Sequence, residues 1–336
     1  MRISDCGLKC GVTNFNSEIS NPKVQISIAN PQSEIRIPHS AIPMPTIAEA
    51  IAEGAAKLRA SGVSEERRAA GILLCHTLGI DRTHLLTRSS EQVDESCYES
   101  YLASVDRRAA GEPLQYITGH QEFYGLDFMV TPDVLIPRPE TEFLVERVIE
   151  LHRARHAEDS PVIADVGTGS GCIAVTLAYH IPGARVIAID ISRAALDVAR
   201  ANAERHGVRH RIEFAEGDLL EPLESLGGSQ GLAGAVDFLA SNPPYVEGRK
   251  PETVQREVRD WEPASALYGG ADGLSCYRRL LAEGARYLKS RGYLVCEIGY
   301  TQLDAIREMI DVKEWELVDV TNDLQGIPRT LTIRKI

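Results

Sequence analysis

From Val162 onward, short apolar runs alternate with longer stretches of helical spacing. The runs are VIADVG (162–167), RVIAID (185–190), RIEFAEG (211–217), VDFLAS (236–241) and GYLVCEIG (292–299). Mostly apolar runs of this length read as strands covered on both faces. Strands alternating with helices predict an α/β, parallel-dominated, doubly wound sheet. Two further runs, WELVDVT (315–321) and TLTIRKI (330–336), have no long helix between them. The last strand is therefore expected to insert antiparallel, giving seven strands in all.

Upstream the period is helical. Ile47, Ile51, Ala55 and Leu58 fall on one face, with Gly62 as a stop. Ser64 is expected to cap a second helix, Glu65–Leu78; Arg82–Thr87 and Glu91–Ala110 complete a small bundle. Such a bundle could recruit a substrate, act as a lid, or simply pack as a cap. Residues 115–136 change to alternating runs punctuated by Gly119 and Gly125, which predicts a β-hairpin. The stretch Ile136-Pro137-Arg138-Pro139-Glu140-Thr141-Glu142 then opens a helix: Pro139 suits its first turn, and Glu140 and Glu142 suit its positive end. The expected parts are an extension over 1–43, a helical domain over 44–112, a hairpin linker over 113–137 and a catalytic domain over 138–336. Residues 1–43 have no helical period and are expected to be poorly ordered. A helix start follows Met44 at once, so Met44 is a candidate for the true start. Gly227–Gly234 (GGSQGLAG) reads as a flexible surface loop.

Composition narrows the class. Over 336 residues, 43% hydrophobic and 25% charged content is that of a soluble globular protein. No apolar run approaches a membrane span of roughly 20 residues, and the polar opening residues lead us to expect no secretory signal. A net charge of −12 argues against gripping nucleic acid by its phosphates, so no direct nucleic-acid partner is expected. Seven scattered cysteines suit a reducing, cytoplasmic setting. Cys6 and Cys10 lack a third cysteine, since position 13 is Thr13, and no metal is expected. His206 and His210 have no acidic or thiol companion and are expected at the surface.

Candidate chemistry sits at the carboxyl ends of the predicted strands, where open α/β sheets bind ligands. The loop Gly167-Thr168-Gly169-Ser170-Gly171 follows the first strand of the sheet. Its G-x-G-x-G spacing is not the dinucleotide fingerprint, and it lacks the Lys-Ser/Thr of a phosphate loop. Asp190 ends the next strand, where a carboxylate can accept ribose hydroxyls; Asp218, ahead of Leu219, can meet an adenine amino group or cap a helix. Together these outline a nucleoside site with no phosphate grip, which S-adenosylmethionine fits. The fourth strand ends in Asn242-Pro243-Pro244-Tyr245. The prolines stop the strand, the Asn oxygen and adjoining carbonyls are acceptors, and the Tyr ring is flat. The turn therefore suits a planar NH2 group; read blandly, it only terminates a strand.

DVGTGSG, AIDIS, EGDL and SNPPY in this order resemble a class I methyltransferase of the amino-group type. With IPRPETE, SNPPYVEG, EP-ALYGG-DGL-YRRL and EIG-x-x-Q, the chain from Thr46 to its end resembles the bacterial release-factor glutamine methyltransferases, the HemK/PrmC family. The resemblance implies a Rossmann-like class I methyltransferase sheet and S-adenosylmethionine held by Gly167 to Gly171, Asp190, Asp218, Leu219 and Asn242. It also implies a Gln side chain, from the Gly-Gly-Gln loop of class 1 release factors, held by Asn242, Pro243, Pro244 and Tyr245. Arg138 and Glu140 are expected to shape the pocket, or else to form a surface ion pair at the helix entry. The enzyme is expected to be a monomer. The nearest rival is an adenine-amino (N6) DNA or RNA methyltransferase, since a flipped adenine offers the same planar NH2. Another protein or small-molecule methyltransferase, and a non-catalytic S-adenosylmethionine-binding module, stand behind it.

Overall fold

The computed structural model describes residues 44–155, 160–227, 231–248, 252 and 254–336. The expected extension over 1–43, with Cys6 and Cys10, lies outside the described residues. Five helices come first: α1 (Ile47–Ala60), α2 (Glu66–Leu78), α3 (Arg82–Thr87), α4 (Glu95–Ala109) and α5 (Leu114–Thr118). Thr46 starts α1 with a reciprocal cap: its hydroxyl accepts from Glu49 N at 3.3 Å, and its own N–H donates to Glu49 Oε2 at 2.8 Å. Two expected boundaries move. Glu65 at φ 51°, not Ser64, leads into α2, with no side-chain cap. The helix expected from Glu91 begins at Glu95, because Asp94 accepts from Cys97 N at 3.1 Å while Gln92 and Val93 bridge to Thr46 and Pro45. Leu58, Leu73, Leu74, Tyr101 and Val105 form the fully buried centre of this bundle.

The hairpin is shorter than its sequence pattern. It comprises β1 (His120–Phe123) and β2 (Leu126–Met129), joined by Tyr124-Gly125 with both residues at positive φ. Its expected first segment is helical as α5, which Gly119 ends. Asn202 anchors the hairpin. Its carboxamide accepts from Met129 N and donates to Met129 O and to Ser170 O in the glycine loop, at 2.8, 2.9 and 2.9 Å. His206, expected at the surface, is half-buried against Phe128, and its Nε2 donates to Asp127 O at 2.9 Å.

The remaining strands are β3 (Val162–Val166), β4 (Arg185–Asp190), β5 (Ile212–Glu216), β6 (Val236–Ser241), β7 (Leu288–Glu297), β8 (Trp315–Asn322) and β9 (Pro328–Lys335). Between them run α6 (Glu142–Ala154), α7 (Cys172–His180), α8 (Arg193–Arg205), α9 (Pro222–Ser225), α10 (Arg256–Trp261), α11 (Ala264–Leu267), α12 (Ser275–Tyr287) and α13 (Leu303–Met309). The seven strands are ordered β5-β4-β3-β6-β7-β9-β8, and β9 alone runs opposite to the other six. The final strand thus inserts as expected. Strand β7 begins four residues earlier than the apolar run, at Leu288, through an irregular start against Val236. The presumed loop over 227–234 is partly core, since Leu232 is buried; residues 228–230 lie outside the described residues.

Strand alternation supplies both faces of the sheet. Ile163, Val186, Ala188, Phe238 and Ala240 pack with α6 and α7, whereas Ala164, Ile187, Ile189, Val236 and Leu239 pack with α12 and Trp315. All six residues of β6 are buried. Strand order reverses between β3 and β6, so their carboxyl ends diverge into a crevice. The Ser241 hydroxyl donates to Val166 O at 2.7 Å and ties the two ends together. Phe238, stacked on Tyr293 at 5.8 Å, anchors the strand that carries the turn. Phe238→Ala should destabilise the fold by about 3–5 kcal/mol, read as a lower urea midpoint with an unchanged slope.

Candidate active site

The glycine loop leaves β3 and enters α7. Gly167, Gly169 and Gly171 all have positive φ (78°, 54° and 80°), which L side chains rarely adopt. A Cβ at Gly171 would lie 2.9 Å from that of Ala199, so the third glycine is needed for helix packing. At Gly167 and Gly169 a Cβ would meet no atom within 4 Å, so these two line open space. Behind the loop, Asp165 is fully buried. Its Oδ2 accepts from the Thr168 hydroxyl at 2.6 Å and from Ala174 N at 3.0 Å, while Oδ1 has no partner among the described residues. Burial pushes this carboxyl up to about 7.

Asp190, at the end of β4, accepts from Gly169 N and Ser192 N, both at 2.9 Å. Burial raises its pKa despite these bonds. The loop and Asp190 are therefore one hydrogen-bonded unit. Asp218 does not cap the following helix. Its Oδ2 accepts from Arg279 at 2.6 Å, and Leu219 beside it takes a left-handed backbone at φ 52°. Open glycine backbone, a carboxylate at the next strand and a carboxylate at the third can hold an adenosyl group with no phosphate.

The turn at the end of β6 is the meeting point of the sequence motifs. The Asn242 Nδ2 donates to Thr141 Oγ1 at 3.0 Å; Thr141 in turn donates to Glu297 Oε2 at 2.6 Å. The Tyr245 hydroxyl donates to Glu297 Oε1 at 3.2 Å. Burial pushes Glu297 up to about 7, against the two hydroxyl hydrogen bonds that favour the carboxylate. Burial and the neighbouring Glu297 also push the Tyr245 phenol well up. The turn's backbone is clamped as well. Gln302 Nε2 donates to Tyr245 O at 2.9 Å and to Gly273 O at 3.2 Å, and Gln302 Oε1 accepts from Gly299 N at 3.1 Å. Side chains at Gly269 and Gly273 would stand 2.3 Å from Pro244 O and Tyr245 O, so only glycine lets that loop close on the turn.

Arg138 and Glu140 separate in role. Arg138 pairs with Glu262, a side chain only 1% exposed that also accepts from Ile136 N at 3.3 Å. The pair is structural and joins the helix entry to the segment before α11; it is not a surface ion pair. Glu140, Arg138, Tyr245 and Glu297 line a cavity of about 440 Å³ that Gln115 and Arg329 also border. Asn242, Pro243 and Tyr245 line a second cavity of about 180 Å³, walled by Leu135, Val246 and Leu267. Sequence reasoning did not single out Thr141, Glu297 or Gln302. Each lay inside a quoted motif, but no local pattern marks a helix-entry hydroxyl or a strand-end carboxylate as a partner of Asn242.

Known proteins match two stretches of the chain in family models and most of its length as whole sequences. Residues 49–119 match the family model described as PrmC N-terminal domain, and residues 140–260 match Methyltransferase small domain. A release factor glutamine methyltransferase of Koribacter versatilis is 42% identical over 290 residues, covering 86% of this chain and 99% of that one. The chain belongs to the release factor glutamine methyltransferase family. A Bacillus subtilis member is 39% identical over 291 residues, with 86% and 97% covered. A ribosomal protein L11 methylase structure from Lactobacillus delbrueckii subsp. bulgaricus aligns at 21% identity and TM-score 0.42, over 62% of this chain and 84% of that one. As a member of the release factor glutamine methyltransferase family the chain is a methyltransferase, and its methyl donor is S-adenosylmethionine. The crevice fits that donor: the Gly167 and Gly169 surface is open, and Ser170 Oγ is buried with no partner among the described residues. No described helix is long and apolar enough to cross a membrane.

Asp165 yields a stability test. Its carboxyl ionises near 3.8 when unperturbed and near 7 in the fold. Between these values the folded state holds more protons than the unfolded one, so stability is lost as pH rises through this window. Asp165→Asn should flatten the decline of the melting midpoint between about pH 4 and 7. Equal slopes in variant and parent would show that Asp165 is not held neutral.

Proposed function

We propose that this chain transfers the methyl group of S-adenosylmethionine to the side-chain amide nitrogen of the glutamine in the Gly-Gly-Gln loop of class 1 peptide chain release factors. It does so in the cytoplasm, where Cys75, Cys172, Cys276 and Cys296 stay free thiols. The observation that carries the reading is the polarity of the Asn242 turn. Asn242 Nδ2 is taken by Thr141; among the described residues neither Asn242 Oδ1 nor Pro243 O receives a donor. Two free acceptors at the wall of a small cavity suit the two hydrogens of a carboxamide.

An amide nitrogen is a poor nucleophile, because its lone pair is delocalised into the carbonyl. Asn242 Oδ1 and the Pro243 carbonyl accept its two hydrogens, raise electron density on nitrogen and set its direction. The Tyr245 ring packs against the amide plane, and Pro244 keeps the turn stiff. When bound, the donor would supply a methyl group on a sulfonium: as the N–C bond forms the C–S bond breaks, the sulfur keeps the electron pair and leaves as a neutral thioether, and the nitrogen releases one proton to water. A site of neutral acceptors away from water therefore favours the transition state. Gly167 to Gly171 and Asp190 would hold the adenosyl and methionyl parts. Leu219 would contribute to the adenine pocket, and Asp218, steadied by Arg279 on one oxygen, would offer the other to the adenine amino group. Arg138 and Glu140 wall the larger cavity through which the release-factor loop enters. The relatives' family name supports the substrate, and the acidic net charge of −12 weighs against an adenine in nucleic acid.

Incubation with labelled S-adenosylmethionine should label a class 1 release factor and leave its Gln→Ala loop variant unlabelled. Equal labelling of both would refute the glutamine assignment. Asn242→Ala should lower kcat about 100-fold with the donor's Kd within about threefold, whereas Asp190→Ala should raise that Kd about tenfold or more. Calorimetry and initial rates separate the two effects.

A further inference from the structure

We infer that Thr141 and Glu297 are positioning residues that act through Asn242: the ionised Glu297 carboxylate sets the direction of a buried hydrogen-bond chain and thereby turns Asn242 Oδ1 toward the substrate nitrogen. The inference rests on the proposed use of Asn242 and names what enforces it.

The logic is one of proton count. An ionised carboxylate only accepts, and a hydroxyl has a single proton to give. Glu297 takes the Tyr245 proton on Oε1 and the Thr141 proton on Oε2, at 3.2 and 2.6 Å. Thr141 is then left with lone pairs alone toward Asn242, so it can meet only the NH2 side of that carboxamide, at 3.0 Å. The oxygen side must face the cavity. Thr141 and Glu297 are each 1% exposed, so the protein groups around them, rather than bulk solvent, set the direction of the chain.

Protonation of Glu297 removes this constraint. A protonated Oε2 can donate to Thr141, and Thr141 can then donate its own proton to Asn242 Oδ1. The carboxamide turns over and presents NH2 to an incoming NH2, which repels it. The groups facing Glu297 balance one another. Arg329 favours the carboxylate; Glu140 disfavours it; Tyr277 donates to the Glu297 backbone carbonyl at 2.9 Å. The neighbouring Cys172 and Cys296 thiols, both pushed up to about 12 by burial, stay neutral, and Arg138 favours ionisation of the adjoining Tyr245. With Glu297 itself near 7, the chain's direction changes within an accessible pH range.

The test uses the full chain. In free enzyme labelled with nitrogen-15, the Asn242 side-chain NH2 resonance is identified by its loss in Asn242→Ala. It should shift between pH 5.5 and 8.5 with a midpoint of about 7 in the parent and stay fixed in Glu297→Gln. In methylation of a release factor, parental kcat should rise to a plateau through the same midpoint, and Glu297→Gln should lack that rise. Thr141→Val should lower kcat about tenfold or more with release-factor KM and donor Kd within about twofold, and Thr141→Ser should recover to within about threefold. A Thr141→Val enzyme with kcat within about twofold of the parent would overturn the inference. So would an Asn242 resonance indifferent to pH. The resonance arm needs no substrate. If it titrates as expected while no release factor is labelled, the substrate reading fails and the positioning chain stands.

Discussion

A single buried carboxylate organises this molecule. Glu297 ends a central strand and is 1% exposed, where an unpaired charge is costly. Its two oxygens are satisfied by hydroxyls rather than by a cation, one from the entry to α6 and one from the turn after β6. Satisfying that group therefore pulls together three segments that the chain keeps far apart. The same two bonds place Tyr245 against the cavity and leave Thr141 able to receive Asn242. The fold and the geometry of the turn thus share one constraint.

Around this centre, each side chain does a distinct mechanical task. Gln302 grips the carbonyl of Tyr245 and the loop at Gly273, so the turn's backbone is held by a side chain from the next strand connection. Gly269 and Gly273 allow contact so close that any side chain would displace the turn. Arg138 and Glu262 close the other wall and fix the approach of the helix that brings Thr141. The glycine loop has its own brace: Asn202 links it to the hairpin, and Asp190 receives its Gly169 amide. The glycine-loop side and the Asn242-turn side are joined by the Ser241 bond between the ends of β6 and β3.

Both sides lie at the one place where the sheet's winding reverses. Helices on opposite faces leave the carboxyl ends of β3 and β6 uncovered, so a ligand reaches backbone groups there without disrupting the core. The helical bundle approaches this mouth through charge pairing: Arg108 binds Glu257 at 2.7 Å, and Glu257 borders the larger cavity.

The strands, their order in the chain, the glycine loop and the Asn-Pro-Pro-Tyr turn were legible in the residues themselves, because each depends on local period, on φ restrictions or on a missing N–H. The antiparallel last strand was legible too, since no helix-length segment separates it from its predecessor. Boundaries set by competing side chains were not: Asp94 displaced the start of α4, and Pro113 with Gly119 turned part of the hairpin into helix. Nor could sequence show that Arg138 answers a buried Glu262, or that Asp218 is held by Arg279. The direction of Asn242 lay furthest from view. It depends on Thr141, 101 residues away, and on Glu297, 156 residues beyond Thr141. Local spacing says which way a backbone runs; which way a carboxamide faces is decided only when distant donors and acceptors are buried together and every proton must find a partner.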